Sequence, residues 1–275
     1  MARWPWLIAA LAVGCGTPSR RLPSRMVDDP IVLPRRMIAL GAQTVVGQQP
    51  TPRFYWNVVP EIRYGLTDRL EWDDVLSLRL AVLDDAPAPL GQVRARDRLS
   101  LTVKGGLQAV GYSSTGGWIL QPAGSVEARK HVGERTWVSA TAQWMGHWNE
   151  NAPFYAGSDD LLWPSNGRWS WIALDANLVR QLGEKVALHL GAGVHQLQPC
   201  LSATCAWSAR GGGIWLGPSL RPVHWLTLSL HGYASGRYRP AGTQGPIPPP
   251  DQAIAALPPR TATWLGLAGF ASFHW

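Results

Sequence analysis

Residues 226–233 read Leu-Thr-Leu-Ser-Leu-His-Gly-Tyr, with Leu226, Leu228 and Leu230 pointing one way and Thr227, Ser229, His231 and Tyr233 the other. A period of two is the signature of a strand with one apolar and one polar face. The same pattern spreads outward from this stretch. Val186, Leu188, Leu190, Ala192 and Val194 oppose Lys185, His189, His195 and a pair of glycines. Val138, Ala140, Ala142, Trp144 and Trp148 oppose Ser139, Thr141, Gln143 and His147. Ile172, Leu174, Ala176 and Leu178 oppose Asp175, Asn177 and Gln181. Further alternating segments are predicted at 37–46, 54–64, 70–82, 98–110, 117–129, 213–220 and 262–275.

Composition excludes the main competitors. Hydrophobic residues make up 46% of the 275, yet mean hydropathy is only −0.07, because apolar and polar residues alternate instead of clustering. Gly (29) and Pro (23) work against long helices. After residue 14 no apolar run approaches the roughly 20 residues of a membrane-spanning helix. A membrane location would therefore be reached with strands. The net charge of +7 comes from scattered arginines, with one cluster (Arg20, Arg21, Arg25, Arg35, Arg36) that also holds Asp28 and Asp29. No nucleic-acid motif accompanies it, so no nucleic-acid partner is expected.

The connections are of two kinds. GLTDR (65–69), HVGER (131–135), LGEK (182–185) and RPVH (221–224) are short and polar, whereas 149–168, 198–212 and 236–261 are long. Antiparallel strands with tight turns at one end and long loops at the other are the layout of a transmembrane β-barrel. Charges in mid-strand fit a polar lumen: Glu61, Arg63, Arg79, Lys104, Glu127, Arg129 and Asp175, joined by Lys185, His189 and His231. The 16 tryptophans gather near segment ends. Trp72, Trp137, Trp225 and Trp275 flank short connections, and Trp148 and Trp169 flank long ones, as two interfacial aromatic belts would require.

The last segment places Leu265, Leu267, Gly269, Ala271, Phe273 and Trp275 on one face. This ending resembles the assembly signal of bacterial outer-membrane β-barrels, with Phe273 and Trp275 as its aromatic residues. IRYGLTDRLEW (62–72) also resembles the strand–turn–strand of small barrels of that class, with its turn in the periplasm. The resemblance implies an outer-membrane location and delivery through the barrel assembly machinery, and it implies no active site. Eleven segments is an odd number, and an even one is needed. A twelfth strand is expected at 86–96, next to ARDRL (95–99), which echoes LTDRL (66–70). Ten strands is the alternative, if 37–46 stays outside the barrel over 37–275.

Residues 1–14 read as a signal peptide, and Leu11-Ala12-Val13-Gly14-Cys15 resembles a bacterial lipoprotein processing box. That resemblance implies a lipidated Cys15; the alternative is an ordinary secretory signal with an incidental cysteine. Residues 15–36 are expected to be an extended periplasmic tether, with four prolines and no periodicity. Cys200 and Cys205, in an exported chain, are most simply a disulfide pinning a loop.

Chemistry is sparse. Ser229 and His231 share a face, with Asp175 or Glu127 as an acid, but the order Ser-x-His matches no esterase pattern. His189 and His195 lie six residues apart, roughly 20 Å along a strand. They cannot share an ion without partners from elsewhere, so no metal, cofactor or catalytic activity is expected. The lumen-face cations predict a mildly cationic lining. The expected function is a small pore or transporter for small polar or anionic solutes, in contact with the lipid bilayer. A second possibility is a closed structural barrel offering loops 198–212 and 236–261 to an envelope protein of a surface or secretion complex. Lesser alternatives are a lipid-acting barrel hydrolase and a soluble periplasmic lipoprotein.

Overall fold

A computed structural model describes residues 22–48, 54–73, 76–83, 99–112, 117–147, 169–198, 209–239 and 260–275. A 3-10 turn, Met26–Asp28, precedes β1 (Ile38–Gln48), β2 (Phe54–Gly65), β3 (Leu70–Asp73), β4 (Leu76–Leu83), β5 (Leu99–Tyr112) and β6 (Gly117–Gly133). β7 (Thr136–His147), β8 (Trp169–Gln181), β9 (Val186–Gln198), β10 (Ala209–Val223), β11 (Leu226–Arg239) and β12 (Arg260–His274) complete the set. Each strand pairs with its neighbours in sequence, and β1 pairs with β12 from Ala39↔His274 to Gln48↔Leu265. The chain is thus a closed antiparallel barrel of twelve strands.

The count of twelve matches expectation, but the extra strand arises elsewhere. The segment 70–82 is a hairpin, with Asp73 opposite Ser77 and Leu70 opposite Leu80. Even-numbered residues face outward on both arms, so the alternation runs through the turn without a visible break. The expected strand at 86–96 lies outside the described residues. The wall is lowest at this hairpin. β2 meets β3 only over Arg63–Gly65, and β4 reaches no further along β5 than Leu107.

The apolar faces point outward. Leu78, Leu80, Val103, Val126, Ile172, Leu174, Leu190, Val194, Ile214, Leu216, Leu228, Leu230, Leu265 and Leu267 are 39–60% exposed, a ring contributed by nearly every strand from β4 to β12. In water such a surface would drive association, since each Å² of apolar area prefers burial by about 25 cal/mol. In a bilayer it meets hydrocarbon, and the closed ladder leaves no strand without neighbours. This is a membrane-spanning barrel. At the short-turn end Trp225 stacks on Phe273 at 6.2 Å, and Phe273 on Trp275 at 5.9 Å, a stretch of aromatic girdle across β11 and β12. Trp72 also faces outward, since its neighbours Glu71 and Asp73 are buried inside.

Trp137 corrects the belt. It lies on the lumen side, against Met26, Val179 and Ala187 and beneath the Arg129 guanidinium at 4.4 Å. Nearness to a turn says nothing about face, and Trp137 shares its parity with Ser139 and Thr141. Trp148 and the side chain of Trp169 lie outside the described residues, as do Cys15, Cys200 and Cys205.

Candidate functional site

Of the stretch expected to trail as a tether, residues 22–36 fold into the barrel instead. Among residues 22–37, Leu22, Met26, Val27, Ile31, Val32, Leu33 and Met37 are buried. Met26 packs on Val179 and Ala187 inside the short-turn mouth, and Ile31 and Val32 pack on Ala81. Leu22 and Leu33 join Met37 and Ala39. The physical reason is visible in MVDDPIVLP (26–34), where two aliphatic clusters flank the acidic pair. Left in water, those clusters would forgo about 1.5–3 kcal/mol per buried side chain. Ordering each residue costs about 1–2 kcal/mol, so polar clamps decide how firmly the segment sits.

Those clamps run from the segment to several places on the wall. The Arg221 guanidinium, on β10, donates to both Asp29 carboxylate oxygens at 2.7 and 2.6 Å and to the Pro23 carbonyl at 2.8 Å. Its Nε donates to Thr227 Oγ1 at 3.0 Å, which fixes the fork from behind. Arg129 donates to the Asp29 carbonyl at 3.3 Å. Glu71, 0% exposed, accepts the Leu33 amide at 2.5 Å. Gln181 accepts the Val27 amide at 3.2 Å and donates to the Gly183 carbonyl at 2.7 Å. In the turn after β2, the Asp68 carboxylate accepts the Arg35 amide at 3.2 Å. Arg36, with φ 67°, turns the chain into β1 while its amide donates to the Gly65 carbonyl at 2.7 Å.

Gly65 is where the segment comes closest to the wall. A Cβ there would lie 2.0 Å from the Pro34 carbonyl oxygen and 2.7 Å from that of Leu33. Backbone cannot yield as a side-chain tip would. Gly65→Ala is therefore expected to push residues 33–36 inward while β2 stays paired. Limited trypsin digestion of the folded protein should then cut at Arg25, Arg35 or Arg36 at least several-fold faster than in the parent chain. An unchanged rate would show that the segment is not seated on β2.

Above the segment the lumen has two unlike sides. On β2 to β6 it is charged: Arg63 meets Glu61 at 2.8 Å and Glu71 at 3.7 Å, and Lys104 meets Asp73 at 3.0 Å. Arg79 is bonded to Glu127, which also lies 3.4 Å from Arg129. The expected lumen residues Glu61, Arg63, Arg79, Lys104, Glu127, Arg129, Asp175, His189 and His231 all face inward. Lys185 does not: it sits exposed in the turn between β8 and β9 and donates to the Pro222 carbonyl at 2.9 Å. The mildly cationic lining is also corrected. Arg63, Arg79, Lys104 and Arg129 each lie within ion-pair distance of a carboxylate, and Glu71 and Asp73, on the first arm of the hairpin, add negative charge. Charges buried without partners would be far costlier.

The opposite side, β7 to β12, carries fewer charges, Asp175 on β8 and Arg221 on β10 among them. Gln143 donates to Asp175 Oδ2, Trp215 Nε1 donates to Asn177 Oδ1 at 3.1 Å, and the Ser219 and Ser229 hydroxyls meet at 2.5 Å. Trp215 lies flat over Gly191, whose added Cβ would stand 2.0 Å from the indole. Ser229 and His231 are not arranged as nucleophile and base. The serine hydroxyl meets Ser219, while the His231 ring lies between His189, at 5.2 Å, and Phe270, at 5.3 Å.

No family model matches the sequence, and no curated protein matches it. Among solved structures, the chain is similar to the outer-membrane expressed OmpT of Vibrio cholerae, at 10% identity, over 86% of this chain and 97% of that one, with a TM-score of 0.37. It is similar to an outer membrane channel from Pseudomonas putida F1 at 12% identity, over 94% and 100% of the two chains, with a TM-score of 0.37. The outer membrane channel DcaP of Acinetobacter baumannii matches at 7% identity, over 87% and 95%, with a TM-score of 0.31. The structures to which this chain is similar are thus bacterial outer-membrane barrels.

Proposed function

We propose that this protein is an outer-membrane channel for small polar solutes, stopped at its periplasmic mouth by its own residues 22–37. The observation that supports it is the pairing of a polar lumen with a stopper held through carboxylate, amide and guanidinium clamps. A barrel that served only as scaffold would gain more from an apolar filling, because buried ion pairs add little net stability. Twelve strands enclose an interior between the filled bore of the smallest barrels and the open channel of porins. A stopper and a water path can therefore coexist. The short turns face the periplasm, and the protein reaches its membrane through the barrel assembly machinery with Phe273 and Trp275 in the terminal signal. Lipidation at Cys15 belongs to the same proposal, since it would anchor the chain seven residues before Leu22.

Because lumen charges balance across β2 to β6, the pore is expected to discriminate weakly between anions and cations. In a planar bilayer under a KCl gradient, the open channel should reverse close to zero voltage. Reversal near the chloride equilibrium potential would restore a cationic lining and contradict the ion-pair accounting. The scaffold role, with loops 198–212 and 236–261 offered to an envelope protein, is the second reading. It is favoured by the firmness of the stopper and requires that no current passes even after the stopper is loosened.

A further inference from the structure

His189 and His231 come from different strands and meet over Gly217 of β10. His189 is the register partner of Gly217 on one side. On the other, Gly217 lies between the pairs Leu216↔Gly232 and Ser219↔Ser229, which puts it beside His231. A side chain at 217 would stand between the rings and against the wall: an added Cβ lies 2.6 Å from the His231 Cα and 1.9 Å from the Leu230 carbonyl oxygen. With glycine there, the ring centroids approach to 5.2 Å at an interplanar angle of 35°. Phe270 backs His231 from β12 at 5.3 Å and restricts its ring.

Both Nε2 atoms are buried and, among the described residues, have no hydrogen-bond partner. A buried polar atom left unpaired costs about 1–3 kcal/mol, and such atoms call for a water or an ion. Two of them on adjacent imidazoles can be satisfied by one shared neighbour. A tetrahedral ion bound to two imidazole nitrogens at about 2.0–2.1 Å holds the ring centroids roughly 5 Å apart. The observed separation falls there. Imidazole is a ligand suited to zinc, copper and nickel.

We propose that His189 and His231 form a two-imidazole site for a divalent transition-metal ion on the β9–β11 wall of the lumen. Among the described residues no group of three or more His, Cys, Asp or Glu side chains could hold a metal. The ion therefore keeps two positions for water or a solute, which makes it exchangeable, unlike a closed structural zinc. Along one strand, His189 and His195 are too far apart to share an ion. The barrel supplies the second ligand from two strands away, which a reading along a single strand does not reach.

The test needs no conduction, so it stands or falls independently of the channel proposal. ZnCl₂ is titrated calorimetrically into the full-length, untagged barrel in detergent, with folding checked by heat-modifiable gel migration. One Zn²⁺ per chain is expected at this site. His189→Gln and His231→Gln should each weaken it tenfold or more, while His195→Gln, on the same face, should leave it unchanged. With Co²⁺ as the probe, the visible absorption of a tetrahedral nitrogen-ligated ion should appear in the parent and vanish in both variants. Absence of binding at millimolar Zn²⁺, or binding indifferent to both substitutions in folded barrels, would overturn the site and leave the two nitrogens to water.

Discussion

Replacing Asp29 with Ala is expected to convert a channel that opens rarely into one that is open much of the time. The Arg221 side chain is 3% exposed, and its two forked N–H groups end on the Asp29 carboxylate at 2.6 and 2.7 Å. Without that carboxylate the closed state buries a guanidinium that, among the described residues, keeps the Pro23 carbonyl and Thr227. Breaking a buried pair from one side costs about 3–5 kcal/mol. The closed state alone bears that cost, because an open mouth admits water to Arg221. The closed-to-open ratio should fall by a factor of about a hundred or more. Asp29→Asn keeps one acceptor and should fall in between. Arg221→Met removes the buried charge itself and should open the mouth less than Asp29→Ala, and the double variant should resemble Arg221→Met. Open probability in planar bilayers reads all four, and identical traces from Asp29→Ala and the parent would remove the clamp from the account.

The second large effect concerns the outer wall. Leu230 points outward from β11, 53% exposed, five residues along from Trp225 of the aromatic girdle. Leu230→Arg places a charge in hydrocarbon near mid-height and should cost about 2–4 kcal/mol in reversible unfolding from lipid vesicles. Val132 is as exposed as Leu230 but sits at the short-turn end of β6. There the same substitution should cost about 0–1 kcal/mol, because the guanidinium reaches the headgroups. This depth dependence separates a lipid-facing wall from a water-facing one. Equal small costs at both positions would mean that neither meets a bilayer core.

Much of this architecture was legible in the sequence because a strand's two faces are written by parity. On that basis Glu61, Arg79, Glu127, Asp175 and His231 fall on the face opposite the exposed Ile62, Leu80, Val126, Leu174 and Leu230. Parity fails where it is preserved through a turn. Leu70, Trp72, Leu76, Leu78 and Leu80 keep one phase across Asp73 and Asp74, so a hairpin read as one strand. It fails again where position is mistaken for face, as with Trp137. Partners across the lumen were not legible at all. Arg63 lies near Glu61 two residues away, but Arg79 binds Glu127 and Lys104 binds Asp73, and those pairs depend on register and closure. The stopper did leave a trace. A free tether has little use for Met26-Val27 and Ile31-Val32-Leu33 within a dozen residues, and that apolar content outweighs the prolines.

The central claim, that residues 22–37 stop a water-filled barrel, is tested most directly by single-channel recording of the full chain beside a variant lacking residues 22–36. β1 keeps its pairing to β12 and β2 in the variant, so the wall stays closed. We expect brief, small openings from the full chain and steady ohmic steps of several-fold larger conductance from the variant. Equal conductance in the two, or silence from a variant shown to be folded, would contradict the account.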